Sequence, residues 1–145
     1  MKDIDGRELS PKRNELLKFL LDQDKVVKTT DLADHFGVDP STITKMVCEL
    51  ATTGLIEHVP YHGVGLTQSG REYAGFLVRR HRILSLMLSH YGLSHNEACA
   101  AAANFESYVS KETIDHICAS LGHPTMSGCG RIMHDICCCC PADEE

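Results

Sequence analysis

The sequence predicts a mainly α-helical fold, a winged helix-turn-helix followed by a C-terminal helical dimerisation domain. Two short amphipathic segments meet at a tight corner between residues 29 and 55, and Gly37 stands where the corner needs a permissive backbone. The pattern then changes to the alternation of a β-hairpin, and long helical segments follow from residue 69 onward. Each short helix is too short to be stable alone, so the pair must share a core.

The first helix is predicted from Pro11 to Gln23, with Ser10 as its cap and a leucine stripe facing the core. Residues 1–10 are polar, and we expect them to be loose. The next pair of helices forms the helix-turn-helix, whose second helix begins after Asp39 with Pro40 in its first turn. The alternative is a two-helix hairpin in an ordinary all-α domain.

The second helix of the pair has a face suited to the DNA major groove. Its apolar residues lie on one side, and the other side carries small hydrogen-bonding groups and one positive charge. The hairpin that follows is predicted to form a wing, whose tip either reaches a phosphate or the minor groove or is a solvated loop. The predicted DNA-contacting residues are Thr30, Asp39, Ser41, Thr42, Thr44, Lys45, Tyr61 and His62.

Charge is distributed unevenly in this chain of net charge -6. Residues 1–90 carry 12 basic and 12 acidic side chains, whereas residues 91–145 carry 2 and 8. The excess negative charge therefore lies away from the predicted DNA surface, and charge alone neither supports nor excludes nucleic acid. No apolar run reaches the ~18 residues of a membrane span, and the N-terminus lacks a signal-peptide stretch, so we expect a cytoplasmic protein without membrane contact.

The second half of the chain predicts helices at residues 69–91, at 94–109 and after Ser110. The Arg79-Arg80-His81-Arg82 cluster in the first of them is of a kind that is usually solvated or faces phosphate. The helical half is apolar on more sides than one fold needs, which predicts a homodimer that reads two half-sites of a double-stranded DNA operator.

Eight cysteines in a cytoplasmic chain indicate metal or redox chemistry rather than a disulfide framework. Four of them form the run Cys137, Cys138, Cys139 and Cys140. Two of these could bind a metal ion together with further ligands from Cys118, His123, Cys129 or His134. Three or four thiolates also suit an iron–sulfur cluster.

Several sequence segments together are similar to one known family. VDPSTITKMV, GLIEHVPYHGVGLTQSG, RRHRIL, SYVSKETIDHI and LGHPT resemble the diphtheria-toxin-repressor family, and in particular its short manganese-transport-regulator branch. The resemblance covers roughly residues 12–125 and implies a homodimeric, metal-activated transcription factor, usually a repressor. It implies a winged-helix DNA-binding domain at 1–70 and a helical dimerisation and metal-sensing domain at 71–125, with residues 126–145 left as a cysteine-rich tail.

The metal site that the resemblance implies is altered in this chain. His81 matches a family ligand, Glu106 matches another, Cys99 stands at a position that is His in some members, and Glu15 lies near the N-terminal ligand position. Ser85, Ala103 and Ser107 replace residues that bind metal in the family. Thiolates shift the preference away from Mn²⁺ toward Zn²⁺, iron–sulfur clusters or Cu(I), so the expected cofactor is a divalent Fe, Mn or Zn ion or an iron–sulfur cluster. The predicted metal residues are Glu15, His81, Cys99, Glu106, Cys129, Cys137, Cys138, Cys139 and Cys140.

These observations predict a homodimeric DNA-binding transcriptional regulator, as a repressor, controlled by a metal ion or an iron–sulfur cluster. The alternative is a redox sensor in which oxidation within the Cys137–Cys140 run changes the dimer. We do not expect an enzyme, because no nucleophile–base pair, phosphate loop or acid pair stands out in the sequence.

Overall fold

The structure is a computed structural model that describes residues 4–134. Its helices and strands follow one another in this order: α1 (Pro11–Gln23), α2 (Thr29–Phe36), α3 (Pro40–Thr52), β1 (Ile56–Val59), β2 (Gly63–Leu66), α4 (Gln68–His90), α5 (His95–Phe105), a 3₁₀ turn (Glu106–Tyr108), α6 (Lys111–Ser120), β3 (Met126–Ser127) and β4 (Gly130–Arg131). The mainly helical class and the winged helix-turn-helix are confirmed. None of the described helices is both long enough and apolar enough to span a bilayer.

Residues 10–75 form the first of two compact units. Its core is a set of fully buried aliphatic side chains from all three helices and the hairpin: Leu16, Leu17, Leu20, Leu32, Ile43, Leu50, Ile56 and Val64. Burial of such a side chain contributes about 1.5–3 kcal/mol, which offsets the cost of ordering helices too short to persist alone. The predicted first helix is confirmed at both ends.

The corner of the helix-turn-helix depends on backbone freedom at one residue. Gly37 ends α2 with φ 63°, and its N–H and that of Val38 donate back to carbonyls of α2. A left-handed residue at this place is the common helix ending that favours glycine. The predicted caps Ser10 and Asp39 do precede α1 and α3, but neither side chain makes a capping hydrogen bond within the described part of the chain.

The wing is an antiparallel pair in which Ile56 lies opposite Leu66 and Val59 opposite Gly63. Val27 adds a bridge to Val64 on the other side, with backbone hydrogen bonds of 2.9 and 2.8 Å. The β1–β2 hairpin is therefore hydrogen-bonded to the connection between α1 and α2. Its tip turns at Tyr61, which has φ 66°.

Residues 4–9 belong to the second compact unit, together with residues 76–134. The carbonyl of Gly6 accepts a hydrogen bond from Arg80 at 2.5 Å, and that of Asp5 accepts one from the Lys111 amide at 2.6 Å. The expectation that residues 1–10 are loose is thus wrong for this described segment. The placement also differs from the predicted first domain at 1–70, since residues 4–9 lie in the other unit.

Two residues of the arginine cluster in α4, Arg79 and Arg80, are buried, against expectation. Arg80 also donates to the carbonyl of Val109 at 3.2 Å and lies over the ring of Phe76, while Arg79 pairs with Asp115 at 2.7 Å. A charged side chain can be fully buried when carbonyl or carboxylate oxygens replace the water molecules that would hydrate it. The partners are distant in sequence, so the local pattern could not reveal them.

The helices of the second unit begin at well-formed caps. Ser94 and Glu97 form a reciprocal capping box at the start of α5, and the Ser110 side chain accepts from the Thr113 amide at the start of α6. Beyond α6 the short hairpin β3–β4 pairs Met126 with Arg131. This hairpin lies within residues 126–145, which the sequence predicted as a cysteine-rich tail.

Candidate metal centre and nucleic-acid surface

The exposed face of α3 carries four of the predicted DNA-contacting residues. Ser41, Thr42, Thr44 and Lys45 are all exposed, whereas Ile43, Val47 and Leu50 on the same helix are buried. The Thr44 hydroxyl donates to the carbonyl of Pro40 at 2.9 Å and keeps its lone pairs for an outside donor. A helix with one buried apolar face and one small polar face has the form that enters a major groove.

Two more parts of this unit present predicted DNA contacts. Thr30 on α2 and Asp39 before α3 are exposed. Tyr61 and His62 lie at the wing tip, and the Tyr61 side chain is fully exposed. Their contact with DNA stays a prediction.

Three metal-ligating side chains converge in the second unit. His81 comes from α4, Cys99 from α5 and Cys129 from the turn of the β3–β4 hairpin, and their ligand atoms lie within 4.8 Å of one another. Cys129 Sγ is 3.6 Å from His81 Nε2 and 2.6 Å from Cys99 Sγ. Imidazole with two thiolates is a donor set typical of Zn²⁺ and other thiophilic ions.

Glu106 acts on this cluster through His81. Its carboxylate lies 2.6 Å from His81 Nδ1 and is itself buried. A carboxylate on one ring nitrogen fixes the tautomer and leaves the other nitrogen free to bind a metal. Glu106 was predicted as a ligand; the structure places its carboxylate against His81 Nδ1, and its direct binding of a metal ion stays a prediction.

The proton affinities of the cluster follow from these contacts. The hydrogen bond to Glu106 raises the pKa of His81, although burial opposes it. Burial, and next the neighbouring Cys129 sulfur, raises the pKa of Cys99 to about 11. Burial also acts to raise the pKa of Cys129, but hydrogen bonds from Cys99, Ser85 and His81 outweigh it and lower that pKa. The contacts therefore make Cys129 the more acidic of the two thiols.

The geometry fits a tetrahedral metal ion with one adjustment. Typical zinc bond lengths place a thiolate sulfur and an imidazole nitrogen about 3.5 Å apart, close to the 3.6 Å between Cys129 and His81. Two thiolates on one zinc ion lie about 3.8 Å apart, so the sulfurs of Cys99 and Cys129 would separate by about 1 Å on binding. Both cysteine side chains are partly exposed.

The remaining predicted ligands are elsewhere or outside the described residues. Glu15 lies on α1 in the other unit, is exposed and pairs with Lys18 at 2.7 Å, so its role as a ligand stays a prediction. Cys137, Cys138, Cys139 and Cys140 lie outside the described residues, and so does the redox switch predicted there.

Sequence reasoning missed two neighbours of the cluster. His95 Nδ1 lies 3.8 Å from Cys99 Sγ, and the Ser85 hydroxyl lies 3.6 Å from Cys129 Sγ. His95 stands four residues before Cys99, a helical spacing that could have indicated their proximity. Ser85 was noticed only as the loss of a carboxylate. A second group, Cys118 with His123 and His134, also comes together and does not include Cys129.

A winged helix with an exposed small polar face, in one chain with thiol and imidazole side chains that could hold a metal ion, has the features of a metal-responsive DNA-binding protein. Two family models match this chain: the N-terminal DNA-binding domain of iron-dependent repressors at residues 8–64, and their metal-binding and dimerisation domain at residues 67–134.

Known proteins resemble the chain over most of its length. The transcriptional regulator MntR of Escherichia coli is 36% identical over 115 residues, which cover 79% of this chain and 74% of that protein. An uncharacterised helix-turn-helix regulator of Methanocaldococcus jannaschii is 29% identical over 100 residues, covering 68% of this chain and 80% of that protein.

Solved structures share the fold. A hypothetical protein from Sulfolobus solfataricus has a TM-score of 0.74 at 24% identity, with 86% of this chain and 96% of that chain covered. A manganese-dependent transcriptional repressor in complex with manganese has a TM-score of 0.67 at 29% identity, with coverage of 85% and 62%. The chain thus spans about 62% of the length of this second neighbour.

The chain belongs to the diphtheria-toxin-repressor family of iron-dependent repressors, in its MntR-like branch. It is a metal-dependent transcriptional repressor with a DNA-binding and a dimerisation domain. The comparisons lend no support to an iron–sulfur cluster or a thiol redox sensor.

Proposed function

We propose that this repressor senses a thiophilic divalent ion, Zn²⁺ or Fe²⁺, in preference to Mn²⁺, through His81, Cys99 and Cys129. The convergence of these three side chains from α4, α5 and the β3–β4 hairpin carries the proposal. In contrast, one solved neighbour is named as a manganese-dependent repressor in complex with manganese. Thiolates replace the oxygen ligands that Mn²⁺ prefers, and the affinity order of first-row ions favours Fe²⁺ and Zn²⁺ over Mn²⁺.

The metal ion supplies a Lewis-acid centre that attracts thiolates and imidazole to one point. Cys99 and Cys129 would bind the ion as thiolates, and each thiol would release its proton to solvent because the positive charge of the ion favours the deprotonated sulfur. Glu106 holds His81 with Nε2 toward the sulfurs. A bound ion would therefore join the hairpin turn to α4 and α5, and it would favour the conformation of the protein that binds it more tightly.

The homodimer places two copies of α3 on two half-sites of a DNA operator. Ser41, Thr42 and Thr44 contact base edges or phosphates and Lys45 a phosphate, supported by their shared exposure on one helix face. Metal control then requires that the ion bind the DNA-competent dimer more tightly than the other state.

The test is metal-dependent DNA binding by Cys129→Ser. An operator is first selected from a random DNA pool by the zinc-loaded protein, and its affinity is then measured anaerobically, with reductant, at fixed Zn²⁺, Fe²⁺ or Mn²⁺. We expect half-maximal DNA binding by wild type at lower free Zn²⁺ or Fe²⁺ than free Mn²⁺, and loss of the zinc response in Cys129→Ser. Met126→Ala, an exposed change in the same hairpin, is the control. A variant that responds to zinc like wild type would refute the proposed centre.

A further inference from the structure

A second cluster of metal-ligating side chains lies at the end of α6. Cys118 Sγ is 3.5 Å from His123 Nδ1 and 3.5 Å from His134 Nδ1, and all three ligand atoms lie within 4.8 Å of one another. Cys118 is fully buried, His134 is partly exposed and His123 is exposed. None of these residues belongs to the cluster around Cys129.

The chain is folded so that both rings turn toward one sulfur. After α6 the amide of His123 donates to the carbonyl of Cys118 at 2.9 Å, which closes the helix end. Gly122 and His123 both have positive φ, 76° and 51°, and histidine tolerates this region better than most residues. The reversal carries His123 back over the last turn, where Cys118 lies.

His134 is oriented by a hydrogen bond on its far nitrogen. Its Nε2 lies 2.7 Å from the carbonyl oxygen of Pro124, which can only accept, so Nε2 carries the proton. Nδ1 is then the unprotonated nitrogen, with its lone pair directed at the Cys118 side. Metal-binding histidines commonly donate their other N–H to a backbone carbonyl in this way.

We propose that Cys118, His123 and His134 form a second metal site, for a Zn²⁺-type ion, with a structural role. The two sulfur-to-nitrogen distances of 3.5 Å equal the separation of about 3.5 Å that a tetrahedral zinc ion imposes on thiolate and imidazole. A buried cysteine that only fills space is surrounded by apolar atoms, whereas two imidazole nitrogens face this one.

The second site would control the first through the hairpin. His123 and His134 flank the segment that contains β3, the Cys129 turn and β4. A metal ion that joins the two ends to α6 closes this loop and lowers the entropy cost of presenting Cys129 to His81 and Cys99. The second ion thus prepares the sensing centre without being its effector.

Zinc content and affinity of the full-length chain test the site. His123→Ala removes an exposed ligand, so the fold is expected to survive, and circular dichroism checks this. His116→Ala is the matched control, since His116 lies exposed on α6 and outside the cluster. Each protein is loaded with Zn²⁺ under reducing conditions, dialysed and analysed for metal, and its affinities are measured against a chromophoric chelator.

We expect His123→Ala and His134→Ala each to hold one zinc ion fewer than wild type, or to bind it at least about tenfold more weakly. His116→Ala should match wild type. Cys129→Ser should keep the second ion while losing the effector ion, which separates this site from the sensing centre. Substituted Co²⁺ should show a sulfur charge-transfer absorption in Cys129→Ser that is absent from Cys129→Ser/His123→Ala. Zinc content and affinity unchanged by His123→Ala would overturn the proposal, whatever the outcome for the effector.

Discussion

At the scale of single residues, the contact between Glu106 and His81 determines which nitrogen faces the metal centre. The carboxylate is buried and lies 2.6 Å from Nδ1, and Nε2 points toward Cys129. Charge assistance makes such a contact stronger than one between neutral groups. In the proposed centre, Glu106 thus orients His81 rather than binding the ion itself.

Glu106→Gln tests this role. The amide keeps the shape but loses the charge, so His81 is held less firmly and its basicity falls. We expect the affinity for Zn²⁺ at the sensing centre to drop about 10- to 100-fold, as for other residues that orient a ligand histidine. Chelator competition measures it, with the exposed Glu112→Gln as the control. An unchanged affinity would show that the carboxylate is dispensable.

Lys45→Ala tests the recognition face. Lys45 is exposed on α3 and is expected to neutralise one phosphate, so its removal should weaken DNA binding and reduce the salt slope by about one unit. Affinity measured over a series of salt concentrations gives both quantities. Lys25→Ala, exposed between α1 and α2, should behave like wild type. Equal slopes for wild type and Lys45→Ala would remove the assignment.

At the scale of elements, α5 carries Cys99 in its second turn and begins at a reciprocal capping box. Ser94 accepts from the Glu97 amide at 3.3 Å, and the Glu97 carboxylate accepts from the Ser94 amide at 3.0 Å. The alanine-rich helix buries only Ala98 and Ala102 among its residues, so the cap has a large share in fixing where it begins. The position of Cys99 depends on that start.

Ser94→Ala should therefore destabilise the second unit by about 1 kcal/mol, the usual cost of a lost N-cap. Urea unfolding monitored by circular dichroism gives the difference, and zinc affinity should fall as α5 frays near Cys99. Ser89→Ala is a suitable comparison, because Ser89 is exposed near the end of α4 and its hydroxyl donates to the carbonyl of Leu86 in the same helix. A Ser94→Ala protein as stable as wild type would mean that packing alone holds the helix.

At the scale of the whole molecule, the chain combines a DNA-binding unit of residues 10–75 with a unit of residues 4–9 and 76–134. The first has its exposed recognition face, and the second holds both metal-ligating clusters. Helix α4 contains residues of both units. Control of DNA binding by metal is a coupling free energy between these sites.

Removal of the effector ion measures that coupling. Chelator-treated wild type should bind its operator about 5- to 150-fold more weakly than zinc-loaded protein, which is the range of typical allosteric couplings. Zn²⁺ or Fe²⁺ should restore binding at lower free concentration than Mn²⁺. Restoration of DNA binding at lower free Mn²⁺ than free Zn²⁺ or Fe²⁺ would indicate an oxygen-ligated manganese site and contradict the thiolate centre.

The sequence alone determined the features that depend on local periodicity. The bounds of α1, the Gly37 corner, the polar face of α3 and the wing follow from patterns within a few residues, because side-chain spacing reports helix and strand directly. The family resemblance of the sequence indicated His81, Cys99 and Glu106, together with Glu15, as metal ligands, and the number of cysteines added Cys129 and the Cys137–Cys140 run.

Only the tertiary structure decided which of those residues meet. His81, Cys99 and Cys129 come from three elements far apart in the chain. The same holds for Arg80 and the carbonyls of Gly6 and Val109 that accept its hydrogen bonds. No local pattern encodes such contacts, because they arise when separate apolar faces pack together. The hairpin that carries Cys129 has strands of two residues each, too short for a periodic signal, and Ile132 directly after it is buried.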